Sequence, residues 1–465
     1  MRSSGQEPSD GIPPVPEDPA RGSRFSSTQN VLAPAVPSPR CAHSMVSRRL
    51  KTTLENKQCG DLVKTLPYAH EQRMAPLAGL LADLVPAIAA SGLPGSMLLW
   101  PDRPLDDLCW CSLLSRANDH RLSGLLLKAL DLQLLPVTAE QAVQAHRLHS
   151  QMMGRVLLCE AALLETAETF DRAGIVWRAL NGAATAHLVY ANPAQRPYRG
   201  INVLAPAAQF DDALEALALL GYKRSSPPLR PGFDGTFGTA VRLVRADGMA
   251  IALHRTLVPG PFGLTIQVMP LFQTSAVFCV GGKSIKALEC EAHFLHSCYK
   301  AVLNPLPYSL IFLRDVTQQV LDDDVDAGRV LALARAWAGE AVLALAVRSA
   351  WERFALADAV LLSAWADRYI SSKKERRFLA GYRTRRFAHE ALDSLQVIKG
   401  VRSKAAFLRA VALPDPAWLA HHNVRRGHWL RRGGTAVLRH PRGWSATGID
   451  DSQPPAGDGV TADLP

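Results

Sequence analysis

Four side chains of metal-ligating type crowd one short stretch of the chain: Cys290, His293, His296 and Cys298. Thiolates and imidazoles are the ligands zinc prefers, but zinc sites usually recruit them from more than one segment. On a single helix the four cannot all converge, because positions 290, 293 and 297 are the ones that share a face. Core packing is their expected role. Gly281-Gly282-Lys283-Ser284 copies the end of a phosphate-binding loop, yet the full pattern needs a glycine where the chain has Val277. A hairpin turn is expected there. His421, His422 and His428 lie among arginines and read as surface residues. No Gly-x-Ser-x-Gly elbow occurs, and the eight cysteines include no Cys-x-x-Cys pair. Several of those cysteines fall in apolar periodic segments, which points to reduced core thiols rather than a disulfide framework.

Charge gives a second signal. The chain carries +10 overall, but 368–442 alone holds 18 Lys or Arg against four acids, a balance of +14. The remainder is therefore mildly acidic. A basic C-terminal region suits a polyanion or an anionic membrane surface, and equally a solvated helical face. Within the 465 residues there is no apolar run resembling a signal peptide, and no clean uncharged span long enough to cross a membrane. The nearest span, Met74 to Trp100, contains Asp83, Pro76, Pro86 and Pro94. A cytoplasmic protein without a transmembrane segment is the expectation.

The elements that would position any site alternate in type. Residues 1–70 lack periodicity and are expected to be mostly disordered. Apolar residues at three-to-four spacing predict helices over Leu77–Ala90, Leu105–Leu132 and Ala139–Phe170, the last opened by a Thr138/Gln141 capping box. From about Gly174 short β-prone runs appear: Ile175–Leu180, Ile201–Leu204, a Val241–Val244/Ile251–His254 hairpin turned at Asp247-Gly248, then Ile266–Pro270, Ala276–Val280 and Lys283–Ala287. Helices intervene at Ala183–Tyr190 and Ala208–Leu220. Helical patterning returns over Glu289–Val302, Leu310–Leu321, Ala327–Phe354, Arg402–Ala412 and Pro416–Leu430. The class is α+β, a small mixed sheet with helices flanked by N- and C-terminal helical regions. The expected division is a helical region over 71–172, a sheet-containing core over 173–290, a C-terminal helical region over 291–440, strongly basic from 368, and a disordered tail over 441–465.

Leu180-Asn181-Gly182, Tyr190, Arg196-Pro197, Gly200-Ile201-Asn202-Val203-Leu204, Leu220-Gly221-Tyr222 and Ile251-Ala252-Leu253-His254 together resemble the uncharacterised nucleotidyltransferase family of the polymerase-β-like superfamily. The likeness spans roughly 150–360. Members of that family carry an Asp-x-Asp pair on one strand and a third Asp on a neighbouring strand. Side chains two apart on a strand share a face, so such carboxylates can hold two Mg²⁺ ions that clamp a triphosphate and the attacking hydroxyl. The resemblance places the three acids at Gly200, Asn202 and Ala252, and a family lysine at Asn181. None of the four keeps its charge. The resemblance thus implies a fold preserved around an emptied metal site: no intact catalytic residue, no metal ligand and no expected cofactor.

What remains around the positions is cationic or permissive. Gly182, Asn181, Arg196, Arg199 and His254 are the candidate nucleotide-binding residues, with Arg255 beside them; the alternative, which the residue types favour, is that Arg196 braces the loop and His254 is a packed, hydrogen-bonded residue. Gly182 and the helix N-terminus after it would suit an anion, so a nucleotide or anionic small molecule bound without magnesium is one expected partner. Three readings follow. In the first the chain is a pseudoenzyme acting as a binding or partner protein. In the second it is an active nucleotidyltransferase, using Mg²⁺ and a nucleoside triphosphate through relocated ligands. Among the nearby acids Asp211, Asp212 and Asp247 have helix or turn roles, which leaves Asp234. In the third the basic C-terminal region binds a polyanion or a membrane surface.

Overall fold

A computed structural model describes residues 81–303, 309–322, 324–384 and 387–422. The expectations for 1–70, for the helix start at Leu77, for His428 and for the 441–465 tail fall outside them. After a helical stretch over 81–89 come α1 (Asp107–Asp119), α2 (Ser123–Asp131) and α3 (Ala139–Arg172). At the start of α3, Thr138 Oγ1 accepts from the Gln141 amide and Gln141 Oε1 from the Thr138 amide, both at 3.2 Å. This is the expected capping box, and it satisfies two otherwise orphaned donors.

The sheet follows as β1 (Arg178–Leu180), α4 (Gly182–Val189), β2 (Ile201–Leu204), α5 (Phe210–Leu219), β3 (Lys223–Arg224), β4 (Ala240–Val244), β5 (Ala250–His254), β6 (Ala276–Val280) and β7 (Lys283–Ala287). The helices after it are α6 (Cys290–Leu303), α7 (Leu310–Val320), α8 (Ala327–Ala336), α9 (Glu340–Phe354), α10 (Leu361–Arg368), α11 (Lys373–Thr384), α12 (Phe387–Val397), α13 (Val401–Ala412) and α14 (Pro416–His421). The protein is α+β. Its seven strands lie in the order β3-β4-β5-β2-β1-β7-β6. β2 runs parallel to β5 and antiparallel to β1, so the sheet is mixed. No described helix is long and apolar enough to cross a membrane.

Strand alternation sorts the core into two layers. Ile201, Val203, Ile251 and Leu253 join one cluster with Phe170 of α3 and Phe210 of α5. Leu180 and Leu204 face the other way, into the larger cluster built with α6, α7 and α9. A one-residue slip of β2 would exchange these faces, and burial on both sides therefore fixes its register.

Three expectations are corrected. Leu105–Leu132 is two helices, interrupted where Arg121 adopts a φ of 58°. Ala327–Phe354 is likewise split, at Ala338 with a φ of 52° and at Gly339, where a Cβ would lie 2.1 Å from the Tyr299 hydroxyl. Ile266–Pro270 is not a strand, since a short 3₁₀ turn, Met269–Phe272, begins there around Pro270; proline has no N–H to give a ladder. The two-residue β3 was not anticipated.

The sheet and the helical layer are tied by a buried ion pair. Arg196, in the loop after α4, sends Nε to Asp315 Oδ1 at 3.2 Å and Nη2 to Oδ2 at 2.7 Å. Tyr190 donates to the same Oδ1 at 2.8 Å. Both charged side chains are buried. Removing one partner of such a pair strands the other charge, whereas replacing both with apolar groups is close to neutral. Asp315→Ala is expected to lower unfolding stability in urea by about 3–5 kcal/mol, and the double variant Arg196→Met/Asp315→Leu to recover most of that loss. A loss too small to resolve in Asp315→Ala would contradict the tie.

Candidate functional site

The register of β2 brings the sequence-derived positions together. Asn202 stands opposite Ala252 on β5 and opposite Leu180 on β1, the residue before Asn181. Gly200 precedes β2, in line with Asn202. The backbone turns sharply between β1 and α4: Asn181 and Gly182 both have positive φ, 45° and 30°. A Cβ on Gly182 would sit 3.3 Å from the Gly200 carbonyl oxygen and against the Tyr198 ring, so the turn and the start of β2 press on one another.

Polar groups from β5 and from the helical layer pack against these positions. His254 Nε2 lies 3.1 Å from Asn202 Oδ1, with both side chains buried. A carbonyl oxygen only accepts, so His254 is the donor through Nε2. On α6, His296 Nε2 lies 3.5 Å from Asn181 Nδ2, and His293 Nε2 lies 3.0 Å from Thr185 Oγ1 on α4. Asn202 Nδ2 is buried with no hydrogen-bond partner among the described residues. Lys300, one turn beyond His296, is buried as well.

The electrostatics follow from burial and from Lys300. Desolvation pushes His254 down to about 3, with the Lys300 ammonium adding to the effect. His293 is lowered to about 4, again mainly by burial, although Asp315 works the other way. His296 is held well below the ordinary histidine range by burial, then by Lys300, His254 and His293. All three imidazoles are thus neutral near pH 7. Neutral rings thus contact Asn202 and Asn181, two of the positions at which the resemblance would place charged groups.

The other candidates are engaged elsewhere. Arg196 is committed to Asp315, on the far side of the loop. Arg199 Nη2 donates to the Asn118 carbonyl and to its side-chain oxygen, both at 2.9 Å, fastening the loop to the end of α1. Arg255 Nε donates to the Gly238 carbonyl at 2.7 Å, and burial lowers its guanidinium to about 10. Asp234 forms an ion pair with Arg224 on the sheet-edge strand β3, with β4 and β5 between it and β2. Asp211 and Asp212 lie in the first turn of α5, and Asp247 Oδ1 accepts from the Met249 amide in its turn.

Among the described residues no group of three or more His, Cys, Asp and Glu is arranged to hold a metal ion. Cys290, His293, His296 and Cys298 all lie on α6, with His293, His296 and Cys298 buried. Gly281 and Gly282 make the β6–β7 turn with positive φ. His296, Lys300 and Thr185 were not picked out from sequence as parts of this site. The signal available was the four-residue spacing of His296 and Lys300, which puts both on one face of a helix.

A cavity of about 10 Å³ borders Gly200, Asn202, Leu180 and Tyr198. That is about the room needed for a single water.

A family model described as an uncharacterised nucleotidyltransferase matches residues 106–355. Comparison with curated proteins gives no match. Among solved structures the chain is similar to an antigenic nucleotidyltransferase-like protein from Paracoccidioides brasiliensis. The identity is 15%, over 43% of this chain and 92% of that one, with a TM-score of 0.26. With more than half its length matched, the chain belongs to the uncharacterised nucleotidyltransferase family.

Proposed function

We propose that this chain is a non-catalytic nucleotidyltransferase-fold protein, a binding or partner protein rather than a two-metal transferase. The observation that carries the reading is the Asn202–His254 contact beside Ala252. The one side-chain oxygen at the three acid positions, Asn202 Oδ1, already accepts from a neutral imidazole. Magnesium needs oxygen donors in near-octahedral array, normally including carboxylates. Asn202, His254, His296 and the Lys300 ammonium do not fit it. The engagement of Arg196 and Arg199 with Asp315 and Asn118 also favours a bracing role over triphosphate binding.

Two measurements test this. Purified protein incubated with radiolabelled nucleoside triphosphates, Mg²⁺ or Mn²⁺ and cell extract is expected to give no metal-dependent transfer. Thermal shifts with the same triphosphates should be unchanged by adding metal. Metal-dependent labelling that disappears in Asn202→Ala would overturn the proposal.

The neutral histidines predict a pH dependence. In the unfolded chain a histidine titrates near 6.5. With His254 and His293 lowered to about 3 and 4, the unfolded state binds more protons than the folded one at every pH between those values and 6.5. Their contribution is intact above pH 6.5 and falls on acidification. The limiting slope is about 1.4 kcal/mol per pH unit for each histidine. The urea midpoint should begin to drop just below pH 6.5, above the carboxylate range. A profile flat down to pH 5 would show that these rings do not remain neutral in the fold.

A further inference from the structure

Helix α13 carries an outward face that nothing in the described chain covers. At 3.6 residues per turn, Val401, Ala405, Leu408 and Ala412 form one stripe. All four are exposed, Val401 at 84% and Leu408 at 49%. Lys404 flanks the stripe on one side, Arg402 and Arg409 on the other, and all three are exposed. The helix contains no acid. Its opposite side is fixed to the body: Phe407 and Ala410 are buried, and the Phe407 ring meets Phe233 and Phe237 at 6.1 and 5.3 Å. The exposed stripe is therefore displayed by an anchored helix.

The charge around it has one sign. From 368 to 422, every Lys, Arg, Asp or Glu whose side chain is described and exposed is Lys or Arg. The described acids there are engaged: Asp393 is buried against Arg377 at 2.9 Å, Glu375 Oε1 accepts from the Tyr369 hydroxyl at 2.6 Å, and the partly exposed Asp415 caps α14 through the Ala417 amide at 2.9 Å. A cationic surface of this kind is complementary to a polyanion, and the aliphatic stripe narrows the choice. Single-stranded nucleic acid is bound by stacking bases on aromatic side chains. Among the described residues the exposed large hydrophobic side chains are all aliphatic or Met. Aliphatic side chains between Lys and Arg suit the boundary between headgroups and acyl chains, where apolar burial and attraction to anionic lipid act together.

We infer that α13 docks on an anionic phospholipid surface, inserting Val401 and Leu408 while Arg402, Lys404 and Arg409 contact headgroup phosphates. The inference is independent of the site on β2.

Vesicle sedimentation of the full chain tests it, with phosphatidylcholine alone and with phosphatidylserine added. Binding is expected only to the phosphatidylserine vesicles and to weaken as salt is raised. Arg402→Gln/Lys404→Gln/Arg409→Gln should weaken it by roughly a hundredfold, at about one factor of five per basic residue. Val401→Ser/Leu408→Ser keeps every charge and alters only exposed positions, and it should weaken binding by roughly tenfold. Hydrogen exchange on the unmodified chain removes dependence on variant folding: amides of 401–412 should slow with phosphatidylserine vesicles. Absence of sedimentation overturns the inference. So does binding indifferent to Val401→Ser/Leu408→Ser with exchange over 401–412 unchanged. Preferential capture by RNA, with protection of the same helix, would assign the surface to nucleic acid instead.

Discussion

The pairing of β2 with β1 on one edge and β5 on the other decides which side chains meet beneath α6. Ile201 and Val203 go to the layer built on α3 and α5, and Asn202 and Leu204 are left facing the helical layer. Because β5 runs parallel and in register, Ala252 comes beside Asn202 and His254 beside Leu204. The turn at Asn181-Gly182 then brings the start of α4 against the same spot. Burial of both faces makes this register costly to change, so the geometry that carboxylates would exploit can persist without them.

The occupants of that geometry differ from carboxylates in kind. Carboxylates and dications attract one another, and each makes the other's burial tolerable. Here burial is tolerated because the groups are neutral: His254 donates a hydrogen bond to the Asn202 oxygen, and His293 and His296 meet Thr185 and Asn181. Lys300 supplies positive charge close by and reinforces the neutrality of His254 and His296. Arg196 and Asp315, both buried near α4, pair with each other. Binding through such a site would require these contacts to exchange.

Much of the scaffold was legible in the sequence because its signals are local. β2, β6 and β7 match their expected bounds, since alternation, turn glycines and β-branched residues act within a few positions. The capping box at Thr138 is likewise readable from spacing. What was illegible depends on distant partners or on unusual backbone. Arg121 and Ala338 take positive φ without being glycine, so the helix breaks there carry no residue-type flag. Arg196 reads equally as a loop brace or an anion-binding cation until Asp315 appears across the core, and His296 reads as generic core until α6 is laid over Asn181. The resemblance pointed to Gly200, Asn202 and Ala252 but carried no information about which side chains pack around them.

Whether these positions retain any hold on a divalent cation can be asked directly by paramagnetic resonance. Mn²⁺ titrated into the full chain, with and without a nucleoside triphosphate, should keep the spectrum of free or nucleotide-bound ion at every ratio. A protein-bound Mn²⁺ signal that is abolished by Asn202→Ala would contradict the account, because it would make Asn202 a working metal ligand rather than the hydrogen-bond partner of His254.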